Sequence, residues 1–193
     1  TGTAAIFDTP SGVALINSGA DLLIADRTNN CVRHVVISSK VVTTYAGSLA
    51  QASGFTDGPT PNALFNQPLG IAVDASNVAF VADSANHAIR KILADQSVVT
   101  LAGTGASGLV NDAVGVVSEF SSPAGIEVIA GGYVLVADSG NSALRKIAPD
   151  GFVTTEQAAL TGVSGIAVTA SGGHSYTAMT TSCVLMTQMT DAP

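Results

Sequence analysis

The stretch that decides the fold is Ala79-Phe80-Val81-Ala82-Asp83-Ser84-Ala85-Asn86-His87-Ala88-Ile89-Arg90-Lys91-Ile92. Two short runs of apolar residues flank a polar segment, which is the pattern of two strands joined by a tight turn. The same phrase, Ala-Asp followed by Asn and then by Arg, occurs at 25–33 and again at 137–145. A phrase that returns at the same place in a longer unit indicates a repeat protein.

Each copy of the phrase has an Asp, an Asn three residues later and an Arg seven residues after the Asp. Because a short loop folds the strand ends together, the carboxylate can reach the guanidinium or can accept N–H groups of the turn. Asn and Gly tolerate left-handed backbone, which predicts that conformation at Asn29, Asn86, Gly140 and Asn141. The nine candidate site residues are Asp26, Asn29, Arg33, Asp83, Asn86, Arg90, Asp138, Asn141 and Arg145.

These nine residues have two interpretations, a ring of ligand groups or a scaffold within each repeat. An active site needs its residues only once, so their recurrence in every repeat favours the scaffold. We therefore predict a structural role for all nine, and we predict no catalytic residue, metal ligand or cofactor site.

Glycines open the successive units, at Gly12, Gly70, Gly125 and, more weakly, Gly165, with spacings of 58, 55 and 40 residues. The second unit contains four short apolar runs, which begin at residues 70, 79, 88 and 98. No segment shows a sustained apolar period of 3.6 residues with caps at its ends. The pattern predicts four strands in each repeat and little helix.

At this point the residues resemble a known family. The strings from Phe65 to Asp74 and from Ala79 to Ile92 closely resemble the NHL repeat, whose consensus reads Pro-x-Gly-Ile-Ala-Val-Asp, Val-Ala-Asp and Asn-His-x-Ile-Arg-Lys. The linker from Ala46 to Phe65 is similar to the inter-blade segment of the long-linker members. The resemblance implies an all-β fold, a β-propeller of four-stranded antiparallel blades, over roughly residues 7 to 155.

We expect one propeller region over residues 1–193, with blades at approximately 7–47, 65–103, 120–156 and 160–190. Three blades are clear and the fourth is degenerate, because Ala178-Met179, Ser182 and Met186 replace the Ala-Asp, the turn Asn and the Arg. Propellers of this family usually have more blades, so we expect a partial or open propeller that is part of something longer. A closed four-bladed ring is the alternative.

The amino-acid composition limits the classes of partner that this chain could bind. The net charge of −7, from 7 basic and 14 acidic residues, argues against nucleic acid, because each phosphate contact needs a Lys or Arg. Gly, Ser, Thr, Asn or Pro interrupts every apolar run before the roughly 18 residues of a membrane span, which predicts no membrane insertion. Low Lys with abundant Ser, Thr, Ala and Gly is typical of secreted proteins, so we expect an extracellular or cell-surface location.

Other candidate motifs point to structure. Residues 103–108 spell G-x-G-x-x-G, but no helical run follows, so we predict a linker and no dinucleotide site. His34, His87 and His174 lack a metal-ligand spacing, and His87 falls on the turn His of the NHL motif. The segment from Asp57 to Pro61 could offer oxygen ligands to a cation, but a lone Asp in a Pro-Gly turn favours a plain turn. Cys31 and Cys183 are expected to be free thiols, with a bridge between them as the alternative.

Two functions from different classes remain. The first is a non-catalytic interaction or structural module in a larger extracellular assembly, which presents loops and one face to a protein or a glycan; the resemblance implies this role because NHL domains commonly act as binding platforms. The second is a propeller enzyme of lyase or lactonase type with a metal in the central channel. Only Glu119, Glu127 and Glu156 supply Glu for such a site. We favour the module and expect no cofactor.

Overall fold

The computed structural model describes residues 5–168 and the backbone of residues 175–179 and 184–188. In these ranges the chain forms β-strands joined by turns and by five short 3-10 segments, and no α-helix occurs. The strands are β1 Pro10–Ile16, β2 Asp21–Asp26, β3 Cys31–Val36, β4 Val41–Gly47, β5 Gly58–Pro59, β6 Pro68–Val73, β7 Ala79–Asp83, β8 Ala88–Ile92, β9 Ser97–Ala102, β10 Pro123–Val128, β11 Val134–Asp138, β12 Ala143–Ile147, β13 Val153–Gln157, β14 Gly165–Val168, β15 Ser175–Met179 and β16 Val184–Gln188.

Four antiparallel sheets follow one another along the chain, and in each of them consecutive strands pair as a meander, except that the short β5 pairs with β9 and not with β6. We call them blades 1 to 4. Blade 1 is β1 to β4, blade 2 is β5 to β9, blade 3 is β10 to β13, and blade 4 shows β14 to β16 among the described residues. The predicted all-β architecture of antiparallel blades is confirmed.

Blade 2 differs from the four-stranded prediction because it has a fifth strand. The short strand Gly58–Pro59 pairs with β9 at the outer edge of the sheet. This strand belongs to the long linker between blades 1 and 2, which the side chain of Asp57 ties to Thr100 in β9 through both carboxylate oxygens, at 2.9 and 3.0 Å. The turn around Asp57 is therefore also a strand-pairing element.

The blades pack face to face in chain order. One apolar cluster joins blades 1 and 2, a second joins blades 2 and 3, and a third joins blade 3 to residues 160–166. Because side chains alternate along a strand, each blade has one face toward the preceding blade and one toward the following blade. We call these the leading and trailing faces; in β7, Val81 lies on the leading face and Phe80 on the trailing face.

The first strands of the blades, β1, β6, β10 and β14, lie side by side at the inner edge. Their glycines allow the backbones to approach closely: a Cβ on Gly70 would lie 2.2 Å from the carbonyl oxygen of Ala124, and one on Gly12 would lie 2.5 Å from that of Leu69. The repeated glycine is thus required by backbone contact between neighbouring blades.

Equivalent positions in blades 1 and 2 differ in burial, so the same kind of substitution should reduce stability by very different amounts. Ile71 on the leading face of blade 2 is 6% exposed, whereas Val13, at the same position of blade 1, is 61% exposed. We expect Ile71→Ala to lower the free energy of unfolding by about 2–4 kcal/mol and Val13→Ala, the matched control, by less than about 1 kcal/mol. Urea denaturation measures both, and equal losses would contradict the described blade packing.

Candidate functional site

The repeated Asp ends the second long strand of its blade and is followed directly by a tight turn. Ser84–Asn86 and Ser139–Asn141 form single 3-10 turns, and the residues after them, His87 and Ser142, have φ values of 50° and 51°. In blade 1 the corresponding residue is Asn30, with φ 51°. The predicted left-handed backbone is therefore one residue later than Asn29, Asn86 and Asn141, and Gly140 is not left-handed either.

The correction has a physical reason. A 3-10 turn closes with a hydrogen bond from the residue that follows it, as from the N–H of His87 to the carbonyl oxygen of Ser84 at 3.2 Å, and that residue reverses the chain. The Asn before it keeps a right-handed backbone and uses its side chain instead. The Nδ2 of Asn86 donates to the Asp83 carboxylate at 2.8 Å.

In blade 2 the structure brings Asp83, Asn86 and Arg90 into one buried cluster. Asp83 Oδ2 accepts hydrogen bonds from Asn86 Nδ2 and from Arg90 Nη1, both at 2.8 Å. Its Oδ1 accepts the backbone N–H of Asn66 at 2.8 Å. The expected contact between the carboxylate and the guanidinium is therefore present. The backbone N–H that the carboxylate accepts belongs to the segment that enters the blade and not to the turn.

Blade 3 repeats this cluster with the same geometry. Asp138 Oδ2 accepts from Asn141 and Arg145 at 2.8 Å each, and its Oδ1 accepts the N–H of Ser121 at 2.7 Å. The side chains of Asp138 and Arg145 are fully buried, as are those of Asp83 and Arg90. Burial raises the pKa of Asp83 and of Asp138, and the neighbouring guanidinium opposes that shift in both blades.

Blade 1 holds a looser copy. Asp26 accepts the N–H of Asp8 and the side-chain amide of Asn29, each at 2.8 Å. Arg33 lies farther from the carboxylate, with 3.5 Å between its Nη1 and Asp26 Oδ2, and its side chain is 12% exposed. The nine predicted residues therefore form three clusters, one in each of the first three blades, and no cluster combines residues from two blades.

Each fully buried Arg also holds a linker between blades. Arg90 donates to the carbonyl oxygens of Leu64 and Thr56, both at 2.9 Å, and to Asp57 Oδ1 at 2.6 Å. Its guanidinium carbon lies 4.9 Å from the ring centre of Phe55 and 5.3 Å from that of Phe65. Such stacking on aromatic faces suits a guanidinium that is removed from solvent.

Arg145 repeats the arrangement with different linker residues. It donates to the carbonyl oxygens of Glu119 and Val110, and to Asn111 Oδ1 at 2.7 Å, while its guanidinium lies 4.7 Å from the Phe120 ring centre. Asp57 and Asn111 were not among the predicted site residues. The available signal was their common place in the long linkers, 33 and 34 residues before the Arg that they bind.

The remaining motif residues have structural contacts. His87 Nδ1 accepts the backbone N–H of Ser122 at 3.0 Å and so joins blade 2 to blade 3. His34 Nε2 lies 3.0 Å from Asp21 Oδ2. Residues 103–108 lie in the linker, where Gly103 donates to the carbonyl oxygen of Gly115, and the next helical segment is the three-residue Gly115–Val117.

Both cysteines were expected to be free thiols. Cys31 is a buried free thiol, and burial raises its pKa to about 11. Cys183, His174 and the fourth-unit position Ser182 lie outside the described residues, and so does the suggested bridge to Cys183.

A cavity of about 420 Å³ lies where the four inner strands meet. The repeated glycines line it, and its lining also includes Ser11, Glu127 and Ser164. Burial raises the pKa of Glu127. The other two glutamates are elsewhere: Glu156 forms an ion pair with Lys146 at 3.0 Å, and the carbonyl oxygen of Glu119 accepts a hydrogen bond from Arg145. Within the described residues no group of three or more His, Cys, Asp or Glu side chains could hold a metal ion.

Comparison with known proteins identifies this architecture. A family model described as the NHL repeat matches residues 65–92, the segment from the blade 2 entry to the end of β8. The human NHL repeat-containing protein 2 is 32% identical over 149 residues. The chain is an NHL-repeat protein. The match with the human NHL protein covers 72% of the chain and 20% of that relative.

A plant relative has the same degree of identity. The chloroplastic protein SUPPRESSOR OF QUENCHING 1 from Arabidopsis thaliana is 32% identical over 148 residues, which are 73% of this chain and 14% of that protein. The chain thus spans a fifth or less of the length of these two relatives.

Solved structures show the same fold at low identity. A nidogen and laminin complex contains a chain with a TM-score of 0.64 and 19% identity, a streptogramin B lyase gives 0.63 and 12%, and a putative gluconolactonase gives 0.64 and 13%. This NHL chain is covered to 88%, 96% and 92% in the three comparisons, and it spans 56%, 55% and 59% of those chains. Proteins with this fold therefore include enzymes as well as a component of a protein complex.

The buried Asp–Arg pair predicts a large effect of a small change. Asp83→Asn leaves Arg90 buried without its counter-ion, so we expect the free energy of unfolding to fall by about 3–5 kcal/mol. Asp26→Asn should cost less, because Arg33 is farther from Asp26 and keeps contact with solvent. Urea unfolding measures both variants, with Asp150→Asn in an exposed turn as the control. An Asp83→Asn protein as stable as the control would contradict the scaffold role.

The linker contact at Asp57 predicts a dependence on pH. Partial burial raises the pKa of Asp57, but hydrogen bonds from Thr100 and Arg90 outweigh it, and the pKa lies below the usual 3.8. The contribution of the carboxylate is then complete above the unfolded-state pKa of about 3.9 and is lost as the pH falls through the lower folded-state value. The stability difference between wild type and Asp57→Asn should shrink over that window in urea titrations. A difference independent of pH would contradict it.

Proposed function

We propose that this NHL chain is a non-catalytic protein-binding module. The observation that carries the proposal is an exposed apolar segment in the linker between blades 2 and 3. Its apolar side chains are each 40% to 54% exposed. We call this segment the linker patch, and its residues are Leu109, Val110, Val114, Val116 and Val117.

The linker patch borders a groove of about 390 Å³ between the outer edges of blades 2 and 3. Val114 and Val116 line the groove together with Val99 and Pro149, and the lining includes one charged residue of each sign, Lys91 and Asp150. A contiguous apolar surface with a polar rim is typical of a site that binds another protein. The volume is sufficient for a few apolar side chains of a partner.

The linker patch is held in place by the scaffold described above. Arg145 binds the carbonyl oxygen of Val110 and the side chain of Asn111, and Asn141 binds the carbonyl oxygen of Gly108. Because these contacts fix the linker before a partner arrives, little conformational entropy needs to be lost on binding. In this proposal the repeated Asp, Asn and Arg residues position the binding surface and do not touch the partner.

The partner is proposed to be a protein, with a glycan as the less supported option, since the groove lining is mainly apolar. The nidogen and laminin complex supports this to the extent that a propeller of this fold takes part in a protein complex. The described residues include no helix with the length and apolar character needed to cross a membrane. An extracellular or cell-surface location stays a prediction from composition.

A lyase or lactonase activity is the second candidate. Two observations favour it, the likeness in fold to a streptogramin B lyase and a putative gluconolactonase, and the placement of Glu127 in the inner cavity. The described cavity lining offers one carboxylate, Glu127, and the hydroxyls of Ser11 and Ser164. A metal site of the usual kind needs several oxygen or nitrogen side-chain ligands, so the lining supports this candidate less than the module.

Peptide selection tests the binding proposal. Phage-displayed peptides selected on the purified chain should carry apolar anchors, and Val114→Asp or Val116→Asp should weaken their binding by about tenfold or more. The matched control is Val13→Asp, the same substitution at an exposed valine of blade 1, which should leave peptide binding unchanged. Failure to enrich any peptide, or equal loss in the control variant, would refute the linker patch as the binding surface.

An activity assay separates the two candidates. We expect no turnover of quinupristin or of gluconolactone and no stoichiometric tight binding of Mg²⁺ or Mn²⁺ by the purified chain. Turnover that Glu127→Gln abolishes, without a change in melting temperature, would replace the binding module by the enzyme.

A further inference from the structure

Lys91 lines the groove beside the linker patch, and it has no ion-pair partner among the described residues. It lies in β8 on the trailing face of blade 2, between Phe80 and Val99 on the neighbouring strands. Its Nζ is 5.7 Å from the ring centre of Phe80, and its side chain is partly exposed. The stem of a lysine packs on apolar surface while its ammonium group stays near solvent. The groove therefore combines an apolar wall with a positive charge that blade 2 itself does not neutralise.

The equivalent lysine of blade 3 is neutralised within its own sheet. Lys146 Nζ lies 3.0 Å from Glu156 Oε1, and the hydroxyl of Thr154 donates to the same oxygen at 2.8 Å. Glu156 occupies the bulge between β12 and β13, and Leu101 occupies the same bulge between β8 and β9. Blade 2 thus keeps the lysine of this pair but has an apolar residue in place of the carboxylate, and Leu101 also lines the groove.

A partner that fills the groove would cover Lys91, and this restricts the chemistry of the partner. A cation that loses solvent without gaining a counter-ion is unfavourable, whereas a carboxylate placed against it compensates for that loss. Asp150 also belongs to the lining, but it forms no ion pair with Lys91, and its Oδ1 accepts the N–H of Phe152 at 3.1 Å. A wholly apolar partner therefore suits the groove less than one with a carboxylate beside its apolar side chains.

We propose that the linker patch and its groove bind a peptide segment in which an Asp or Glu adjoins apolar residues, and that its carboxylate pairs with Lys91. This inference rests on the proposed function, because it assigns the chemistry of the partner at that same surface. The apolar side chains of the segment contact Val114 and Val116, and the carboxylate takes the place that Glu156 has beside Lys146 in blade 3. The net charge of −7 gives no long-range attraction for an acidic partner, so the preference depends on this short-range pair.

A peptide library with one position of varied charge tests the proposal. Phage-displayed peptides with randomised apolar positions and one position limited to Glu, Gln or Lys are selected on the purified chain. We expect Glu to be enriched, and the synthetic Glu peptide to bind about fivefold or more tightly than its Gln counterpart. Enrichment of Lys, or equal affinity for the Glu and Gln peptides, would overturn the inference.

Two substitutions at Lys91 test whether this residue is the partner of the carboxylate. Lys91→Met should remove the preference for the Glu peptide, and Lys91→Glu should weaken its binding by about tenfold or more. Lys40→Glu is the matched control, because Lys40 is exposed in a turn of blade 1 and the net charge changes by the same amount. An equal loss in Lys40→Glu would mean a general charge effect and would contradict the pairing. The melting temperature shows that each variant is folded.

A carboxylate placed within blade 2 should compete with that of the peptide. Leu101→Glu recreates beside Lys91 the pair that Lys146 and Glu156 form, so the Glu and Gln peptides should then bind about equally. Leu101→Gln is the matched control of similar size without the charge, and it should keep the preference. Because the preference compares two peptides on one protein, a moderate loss of stability in either variant does not alter it. A preference that survives Leu101→Glu would rule out the assignment to Lys91.

The possible outcomes separate this inference from the proposed function. Peptides whose binding Val114→Asp abolishes, but whose affinity does not depend on Lys91, would leave the linker patch as the binding surface and would refute only the acidic partner. If no peptide binds, the linker patch itself is refuted, and this inference with it.

Discussion

The fully buried pair of Asp and Arg inside a blade is the interaction on which the rest of the structure depends. In blade 2 the carboxylate of Asp83 closes the hairpin through Arg90 and also fixes the entering segment through the N–H of Asn66. Two buried charges are unfavourable unless their remaining hydrogen-bonding atoms are also satisfied. The linker supplies partners for the two Nη atoms, since Leu64, Thr56 and Asp57 accept their other hydrogen bonds, whereas the buried Nε of Arg90 has no hydrogen-bond partner among the described residues.

This requirement connects elements that are distant in sequence. Because the guanidinium needs oxygen acceptors that its own hairpin does not provide, the long linker must fold over the hairpin and not extend into solvent. The linker then carries exposed apolar side chains such as Val114 and Val116 at a fixed place on the molecular surface. The proposed binding surface is in this sense a consequence of the buried pair. In blade 1 the Arg33 side chain is 12% exposed, and its Nη1 lies 3.5 Å from Asp26 Oδ2.

The second constraint is the alternation of side chains in the strands. A blade that is apolar on both faces must be covered on both, and within the chain each cover is the next blade. On the leading face of blade 1, Val13 and Leu15 are exposed to solvent. Their counterparts in blade 2, Ile71 and Val73, pack against blade 1. Repetition of one unit thus stabilises the array, because each blade covers an apolar face of its neighbour.

The sequence by itself determined the repeat, the strand pattern and the family, because a hairpin with its turn and its Asp-to-Arg offset is a local feature that needs no distant contact. It also indicated that the Asp83 carboxylate could reach the Arg90 guanidinium, but not that the Asn86 side chain would join them. The sequence prediction placed the left-handed residue at Asn86, because Asn tolerates that conformation, whereas the structure places it at His87. The position is set by the hydrogen bond that closes the 3-10 turn, which residue propensity does not reveal. Tertiary structure alone decided that Asp57 and Asn111 complete the guanidinium sites and that Val13 is exposed while Ile71 is buried. Those outcomes depend on contacts between segments that are tens of residues apart in the sequence. Similar residues at equivalent repeat positions do not reveal which segment packs on them.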